Sequence, residues 1–472
     1  MEIRKKEKTG LYYGVVAAIG CAVLAGIMLF LSPVLGVADD GTLGEVIKGA
    51  GLAYPEGSEA GPDYLVGTYV WETNEGTGYR SLQTGVIWLA KLLDRMVTHD
   101  RIFDLRFLGL ICLILYLPAL FLLVKAAADR LPKRSQQIVI TVLSVLIFAD
   151  VGYVTYFNSF YPESLVLICL LYLAGAAMNL QRESGWESVW LLIFTAAGIA
   201  LCFVRHYCFL TGVVCALFCF FRFRDQKDTR WNLLVVLCGV TLTAASLSSW
   251  YILQDDFNKA DSLHAITRGV LLYAENPEEA LGEFGIDPSY SLLADASAYD
   301  AFPAVTGYEP ILEEEFYAHY NSLDVARYYV RHPGQLLYML DSAVRTNLQV
   351  RREYCGNYEQ SADRPAGSRS VFWSAYSIFK DRSAPKTIGY FIVLAALPFV
   401  LTVSLKRGAS RKNKVFSELV AALALLALVQ TCYVVIRCGE TALGQYNGQL
   451  GMIMDILFLA AVTELLERLN IL

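Results

Sequence analysis

The chain has 472 residues and is apolar and weakly charged, with 55% hydrophobic residues, 18% charged residues and a formal net charge of −6. A soluble domain carries about 25% charged residues, so these values exclude an ordinary soluble enzyme and indicate membrane spans. The high apolar content also excludes an intrinsically disordered chain, and the acidic balance gives no support for binding nucleic acid.

Long apolar segments predict about ten transmembrane helices, because a helix needs roughly 20 apolar residues to cross a bilayer core. The segments lie near residues 12–37, 105–125, 137–156, 163–180, 189–205, 207–222, 232–253, 386–405, 415–436 and 450–466. The predicted fold is therefore an all-α polytopic membrane protein. The first segment has a basic start like a signal peptide, but its apolar run is too long for one, which favours a retained span.

Lys and Arg residues cluster at the N-terminus and in three of the loops between the predicted spans. The clusters are Arg4–Lys8, Lys125–Arg134, Arg222–Arg230 and Lys406–Lys414. Basic residues of short loops stay on the cytoplasmic side of a membrane. All four clusters fall on one side if there are ten spans, so both termini are predicted to be cytoplasmic.

Two long segments then face the outside of the membrane. The predicted division is an N-terminal transmembrane module (1–253) containing a first outer loop (39–104), an extracytoplasmic domain (254–385) and C-terminal transmembrane helices (386–472). Helical patterns over 311–331 and 333–352 predict a mainly helical outer domain. The chain shows no convincing internal repeat, which weakens a transporter interpretation because many transporters are built from repeats.

Four acidic residues are candidates for chemistry near the outer surface. Asp39 and Asp40 follow the first predicted span, where a carboxylate can act as a general base or bind a cation, or can simply be the solvated end of a helix. Asp150 is predicted to lie about two helical turns inside the membrane from Asn158, and a buried ionisable group at such depth indicates a function. Glu163 opens the fourth span, where a helix dipole would also favour an acid.

Arg205 and Arg437 are predicted at the outer ends of spans, where a guanidinium can bind a phosphate or can snorkel to the surface. All five histidines fall on the predicted outer face in spacings that match no metal motif, and only His206, next to Arg205, remains a candidate. Most of the eleven cysteines lie in apolar runs without a CxxC or a Cys/His pattern, so neither a disulfide framework nor a zinc site is indicated.

Four short motifs carry a resemblance to a known family. They are FDLRFLG (103–109), YFNSFYPE (156–163), HAITRGVL (264–271) and NPEEALGEFGID (276–287). The motifs carry a resemblance of residues 10–385 to bacterial hexosyltransferase-like proteins of surface-glycan synthesis. More broadly, the layout resembles the GT-C superfamily of polytopic glycosyltransferases, through the acids after span 1 and between spans 3 and 4 and the amphipathic segment at Ser81–Thr98.

The resemblance implies an inverting glycosyltransferase of the bacterial plasma membrane. Such an enzyme moves a sugar from a polyprenyl-phosphate-linked donor to a glycan or lipid acceptor at the outer face, among membrane lipids and without nucleic acid. GT-C enzymes occur with and without a divalent metal ion, so the cofactor is left open. The alternative function is a flippase, polymerase or transporter of lipid-linked glycans.

The candidate site residues can be placed in these roles. The catalytic candidates are Asp40, Asp39 and Glu163, and the substrate-binding candidates are Asn158, Tyr161, Arg205, His206 and Arg437. Asp40 is favoured over Asp39 as the base, because Asp39 is expected to continue from the helix end and to cap the turn that follows. Asp150 is kept as a buried ionisable group whose function the sequence does not specify.

Overall fold

The first outer segment is not a simple continuation of the first span. The computed structural model describes residues 2–469 apart from 59–60, 73–80, 181–184, 224–227, 254–258, 299, 301–303, 306–308, 405–410 and 442. Its first elements are α1 (Glu2–Phe30), β1 (Leu35–Val37), α2 (Gly44–Gly49), β2 (Leu52–Ala53), β3 (Thr68–Trp71), α3 (Leu82–Thr98) and β4 (Ile102–Asp104). The predicted end of the first span at residue 37 is wrong, because the chain leaves the helix ahead of Pro33 and then forms a strand. Asp39 and Asp40 therefore follow β1 and not a helix end.

The first outer loop contains a three-stranded antiparallel sheet. Strands β2, β3 and β4 form one sheet in that order, with Leu52 opposite Trp71 and Tyr69 opposite Phe103. The predicted helix at Ser81–Thr98 is present as α3. Ser81 is its N-cap and accepts a hydrogen bond from the Thr84 amide, while the Thr84 hydroxyl accepts one from the Ser81 amide. This reciprocal pairing satisfies two amides that a helix start would otherwise leave open.

The next seven helices belong to the membrane module. They are α4 (Arg106–Arg130), α5 (Arg134–Phe148), α6 (Val151–Val154), α7 (Glu163–Asn179), α8 (Glu187–Cys202), α9 (Leu210–Phe223) and α10 (Thr229–Ile252). Helix α7 is buried along almost its whole length and packs against α4 and α8. It lies in the interior of the bundle, so Glu163 at its first position is held rigidly at the end of a central helix.

Short helices dominate the segment that follows α10, which corresponds to the predicted extracytoplasmic domain (254–385) and which we call the outer segment. They are α11 (Lys259–His264), α12 (Pro277–Gly282), α13 (Pro310–Glu315), α14 (Ser322–Arg331), α15 (Pro333–Leu348) and α16 (Ala375–Ser383), with β5 (Cys355–Tyr358) between the last two. The chain then continues through α17 (Ile388–Ser404), α18 (Arg411–Cys438), α19 (Leu443–Tyr446) and α20 (Gly448–Leu469). The helices predicted over 311–331 and 333–352 correspond to α13 to α15.

The chain is a multi-pass membrane protein. Among the described residues, six helices are long and apolar enough to cross a bilayer, or eight if each of two bent helix pairs counts as one span. The bent pairs are Arg134–Phe148 with Val151–Asn158, at 50°, and Ala375–Ser383 with Ile388–Thr402, at 111°. Two shorter apolar helices, α7 and α8, stand beside them. Each of the ten predicted segments overlaps one of these helices or pairs.

The HAITRGVL motif joins the outer segment to the end of α18. Residues Ala265–Val270 form a π-helix whose Gly269 lies against Gly439. A Cβ atom at Gly439 would stand 2.6 Å from the Gly269 amide nitrogen, and its φ of +57° also favours glycine. Arg268 Nη2 donates to Glu440 Oε1 at 2.7 Å across the same contact. The motif therefore packs two parts of the chain together.

His264, which precedes the π-helix, is buried and neutral. Its Nε2 accepts a hydrogen bond from the Ala298 amide at 2.9 Å, so this nitrogen carries no proton. Burial, and then the charge of Arg268, lowers the pKa of His264 to about 4.

We expect this histidine to make the fold acid-sensitive. An unfolded histidine takes up a proton near pH 6.5, whereas His264 in the folded protein takes one up only near pH 4. The contribution of the neutral His264 to the free energy of unfolding is therefore fully present above about pH 6.5 and is lost as the pH falls from about 6.5 to about 4. Thermal unfolding of the parent and of His264→Asn, which keeps an acceptor but cannot titrate, measures the effect. Equal losses of stability in both proteins would contradict it.

Candidate functional site

Pairing of β1 with β5 brings the first outer loop to the far end of the outer segment. Leu35 lies opposite Tyr358 and Val37 opposite Cys355, in antiparallel register with an irregularity after Gly36. The residues after β1 therefore run beside those before β5, and the Ala38 amide donates to the Tyr354 carbonyl at 3.1 Å. This register places Asp39 and Asp40 on the same side of the molecule as Arg352.

The carboxylate of Asp39 is buried and used on both oxygens. Its Oδ1 accepts from the amides of Gly41 at 2.8 Å and Leu43 at 3.3 Å, and its Oδ2 accepts from the hydroxyl of Tyr54. Burial, and then the hydrogen bond to Asp39, raises the pKa of Tyr54, so this hydroxyl remains a donor. Asp39 therefore fixes the turn that follows β1.

Asp40 is only partly buried and points towards other elements. Its Oδ1 accepts from the amide and hydroxyl of Thr42, at 3.1 and 2.5 Å, and its Oδ2 accepts from Gln445 Nε2 at 3.0 Å. The carbonyl of the same Gln445 accepts a hydrogen bond from Arg205 Nη1. Gln445, on α19, thus connects the Asp40 carboxylate to a guanidinium in two steps.

Glu163 lies between two arginines, which we call the arginine pair (Arg205 and Arg352). Its Oε1 is 3.5 Å from Arg205 Nη1 and 3.7 Å from Arg352 Nη1. Arg352 Nη2 also donates to Asn347 at 3.3 Å. Gly448 permits this packing, since a Cβ there would stand 3.1 Å from Arg352 Nη2. The carboxylate of Glu163 thus faces two guanidinium groups.

Tyr161 and Asn158 support the turn that carries the acids. The Tyr161 hydroxyl oxygen accepts the Asp40 amide at 3.0 Å. Burial, and then the negative charge of Asp40, raises the pKa of Tyr161, so its own proton stays available for donation. Asn158 Nδ2 donates to the carbonyls of Leu29 and Leu35, at 3.0 and 3.1 Å, and thereby ties the end of α1 to β1.

The other three residues predicted from the sequence, His206, Arg437 and Asp150, have partners outside the contacts around Asp40 and Glu163. His206 Nε2 is 3.2 Å from the hydroxyl of Tyr433, on α18. Arg437, one turn further along α18, donates to Ser322 Oγ at 3.3 Å and lines a cavity of about 290 Å³ under the outer segment. Asp150 accepts the amides of Gly152 and Ser377, each at 2.9 Å, at the break between α5 and α6.

Four further residues contribute to this site although the sequence does not predict them, namely Arg352, Gln445, Tyr54 and Gly448. Arg352 belongs to the basic half of the outer segment, which is the one available signal, but that half contains several arginines. A lone glutamine, tyrosine or glycine carries no signal at all. Their roles follow from the β1–β5 pairing and from the position of α19.

The acids of the cluster do not fit a shared divalent cation. A magnesium or calcium ion takes several oxygen ligands from converging carboxylates and carbonyls. Glu163 faces two guanidinium groups, and both oxygens of Asp39 already accept hydrogen bonds. Among the described residues, no group of three or more His, Cys, Asp or Glu side chains could hold a metal ion.

One comparison with known proteins returns a match over nearly the whole chain. The family model described as the YfdI N-terminal transmembrane domain matches residues 2–471. No curated protein and no solved structure matches the chain.

Proposed function

We propose that this chain, which belongs to the family of the YfdI N-terminal transmembrane domain, is a membrane glycosyltransferase of the GT-C type. In this proposal it moves a sugar from a polyprenyl-phosphate-linked donor to a glycan or lipid acceptor at the outer face of a bacterial plasma membrane. The observation that carries the proposal is the connection of the Asp40 carboxylate, through Gln445, to the arginine pair around Glu163. Such a site offers a base and a phosphate-binding group together.

Asp40 is the proposed general base. The acceptor hydroxyl would pass its proton to the Asp40 carboxylate while its oxygen forms a bond to the anomeric carbon of the sugar. The bond from that carbon to the phosphate oxygen breaks, and polyprenyl phosphate leaves with the electron pair. Attack from the side opposite the leaving group inverts the anomeric configuration. Asp39 suits this role less well, because its oxygens are occupied by Gly41, Leu43 and Tyr54.

The arginine pair is proposed to bind the leaving phosphate. A guanidinium presents several donors in a planar fork that matches phosphate oxygens, and a charge-assisted contact stabilises the negative charge that grows as the bond breaks. Glu163 holds both guanidinium groups in place before the donor arrives. In this role Glu163 is a positioning residue and not a second base.

The surroundings of the buried acids favour this function over the transport alternative. A transporter or proton relay uses intramembrane charges that exchange partners. Asp150 instead caps the start of α6, and Asp455 on α20 accepts from Tyr376 Oη at 2.6 Å and pairs with Lys380. Asp150 thus links α6 to Ser377 on α16, and Asp455 links α16 to α20.

An assay in detergent tests the proposal directly. Purified protein should transfer sugar from a polyprenyl-phosphate-linked donor to a hydroxyl acceptor without a sealed membrane, because group transfer needs no compartment. Activity that appears only as movement of the intact lipid-linked sugar across proteoliposomes would support the transporter or flippase instead.

Labelling of introduced cysteines tests the sidedness. Ser289 in the outer segment and Ser135 at the start of α5 are both exposed, whereas the native cysteines are buried or partly buried. On intact cells, an impermeant maleimide should react with Ser289→Cys, and it should react with Ser135→Cys only after the cells are opened, because the basic loops are cytoplasmic. The reverse pattern would put the acids in the cytoplasm and overturn the outer-face assignment.

A further inference from the structure

Helix α3 buries polar side chains and exposes apolar ones. The residues that it buries are mainly polar or small, namely Gln83, Thr84, Ile87, Ala90, Lys91 and Asp94. The residues that it exposes include Trp88, Leu89, Leu92, Met96 and Val97, with Met96 exposed to 73%. A helix on the surface of a soluble domain would show the opposite arrangement. Its outward face therefore suits an apolar environment.

Both ends of α3 are fixed where membrane helices emerge. At its start, the Leu82 amide donates to the Phe203 carbonyl at 2.7 Å, just after the end of α8. At its other end, β4 leads directly into α4, which begins at Arg106. A helix of 17 residues is about 26 Å long, so α3 runs between these two span ends at the level of the bilayer surface.

Lys91, on the inner face of α3, is held in a cage. Its side chain is 1% exposed, and its Nζ donates to the carbonyls of Ala50 at 2.5 Å and Gly51 at 3.1 Å. The same Nζ lies 4.5 Å from the ring of Trp71 and 4.3 Å from the ring of Trp88. Two carbonyls and two indole faces together stabilise a buried ammonium group.

The cage leads to the acidic turn. Ala50 and Gly51 lie between α2 and β2, and Tyr54 directly after β2 donates to Asp39. The ring of Tyr54 packs 5.5 Å from that of Tyr69 on β3. Trp88 belongs to both the cage and the partly exposed side of α3. A shift of this helix against the membrane would therefore move residues 50–54, and with them the Tyr54 hydroxyl that donates to Asp39.

We infer that the outer face of α3 lies in the bilayer interface and that Lys91 transmits this contact to the turn carrying Asp39 and Asp40. The partner is the lipid surface itself, since the apolar stripe of this 17-residue helix, between two span ends, meets headgroups and acyl chains. Trp88 fits this position, because indole rings favour the membrane interface. The lipid contact does not depend on the proposed activity, and only its effect on Asp40 chemistry rests on that function.

A depth measurement tests the lipid contact. An environment-sensitive fluorophore is attached to Met96→Cys in nanodiscs of phosphatidylethanolamine and phosphatidylglycerol, with and without spin-labelled lipid. The control is Leu292→Cys, because Leu292 in the outer segment is also exposed, to 89%. We expect spin-labelled lipid to quench the fluorophore at position 96 and not at position 292. Equal quenching at the two positions would overturn the inference.

Hydrogen exchange in the same nanodiscs tests the transmission by Lys91. Lys91→Met should speed amide exchange over residues 42–53, and Lys91→Arg should restore part of the protection because it keeps a cation and its donors. Met96→Glu should also speed exchange there, although Met96 faces outwards, whereas Val330→Glu, at another exposed apolar position on α14, should not. Parent-like exchange over 42–53 in Met96→Glu would show that the lipid contact is not transmitted. Because these readouts need no donor, they remain decisive if the proposed activity fails.

Discussion

Asp40→Asn is expected to abolish sugar transfer while the protein still purifies folded. The substitution keeps the size of the side chain and one acceptor oxygen for Thr42, and its NH2 group can donate to Gln445 once that side-chain amide is turned over, but it removes the charge that accepts the proton in the proposed reaction. Loss of a general base typically lowers the rate 10²–10⁴-fold. Single-turnover transfer from a lipid-linked sugar measures the effect, with thermal unfolding as the test of folding.

The matched control is Asp39→Asn. Asp39 accepts two amides and the Tyr54 hydroxyl, so its neutral replacement should weaken the turn and lower the melting temperature. Charge-assisted hydrogen bonds contribute about 1.5–3 kcal/mol each. The rate per folded molecule should fall much less than in Asp40→Asn. If both variants keep near-parent rates, neither residue is the base.

Loss of either member of the arginine pair should weaken donor use. Arg205→Ala and Arg352→Ala each remove one proposed charge-assisted contact to the phosphate, worth about 1.5–3 kcal/mol, which corresponds to roughly ten- to hundred-fold in KM or kcat/KM for the donor. Lysine at either position should restore only part of this, because a point charge does not reproduce the guanidinium fork. If both arginines contact one phosphate, the double variant should lose less than the sum of the single losses.

The control for this series is Arg345→Ala. Arg345 lies on α15, close in sequence to Arg352, but its side chain is exposed. It should leave the donor kinetics unchanged. Parent-like donor kinetics in Arg205→Ala and Arg352→Ala would return both arginines to a purely structural role at the edge of the membrane.

The depth of the candidate residues in the membrane could be predicted from the sequence, whereas their side-chain contacts with one another could not. Span ends placed Glu163 and Arg205 at one level, and the structure puts their charged atoms 3.5 Å apart. The same argument singled out Asp150, yet it takes no account of the break between α5 and α6, where the amides of Gly152 and Ser377 satisfy this carboxylate. A hydropathy pattern reports burial and not the local partners of a buried group.

Sequence patterns do not predict the pairing of β1 with β5. Leu35, Gly36 and Val37 are too few to show alternation, and they continue the apolar run of α1, so the sequence assigns the segment to the first span. Consequently the sequence predicts Asp39 and Asp40 at a helix end, and it does not indicate that the preceding residues run beside Tyr354 and Cys355. The aromatic contacts around Tyr54 follow from the same small sheets.

The wide sequence separation within the site also sets when activity can begin. Asp40 and Gln445 are 405 positions apart, and β1 has no partner strand until β5 has been made. At 5–20 residues per second, roughly 20–80 s of translation separate the acid from the amide that links it to Arg205. A nascent chain halted before α19 would insert most of its membrane helices without joining base to phosphate site. In the proposed function, the chain would therefore transfer no sugar while the ribosome is still completing it.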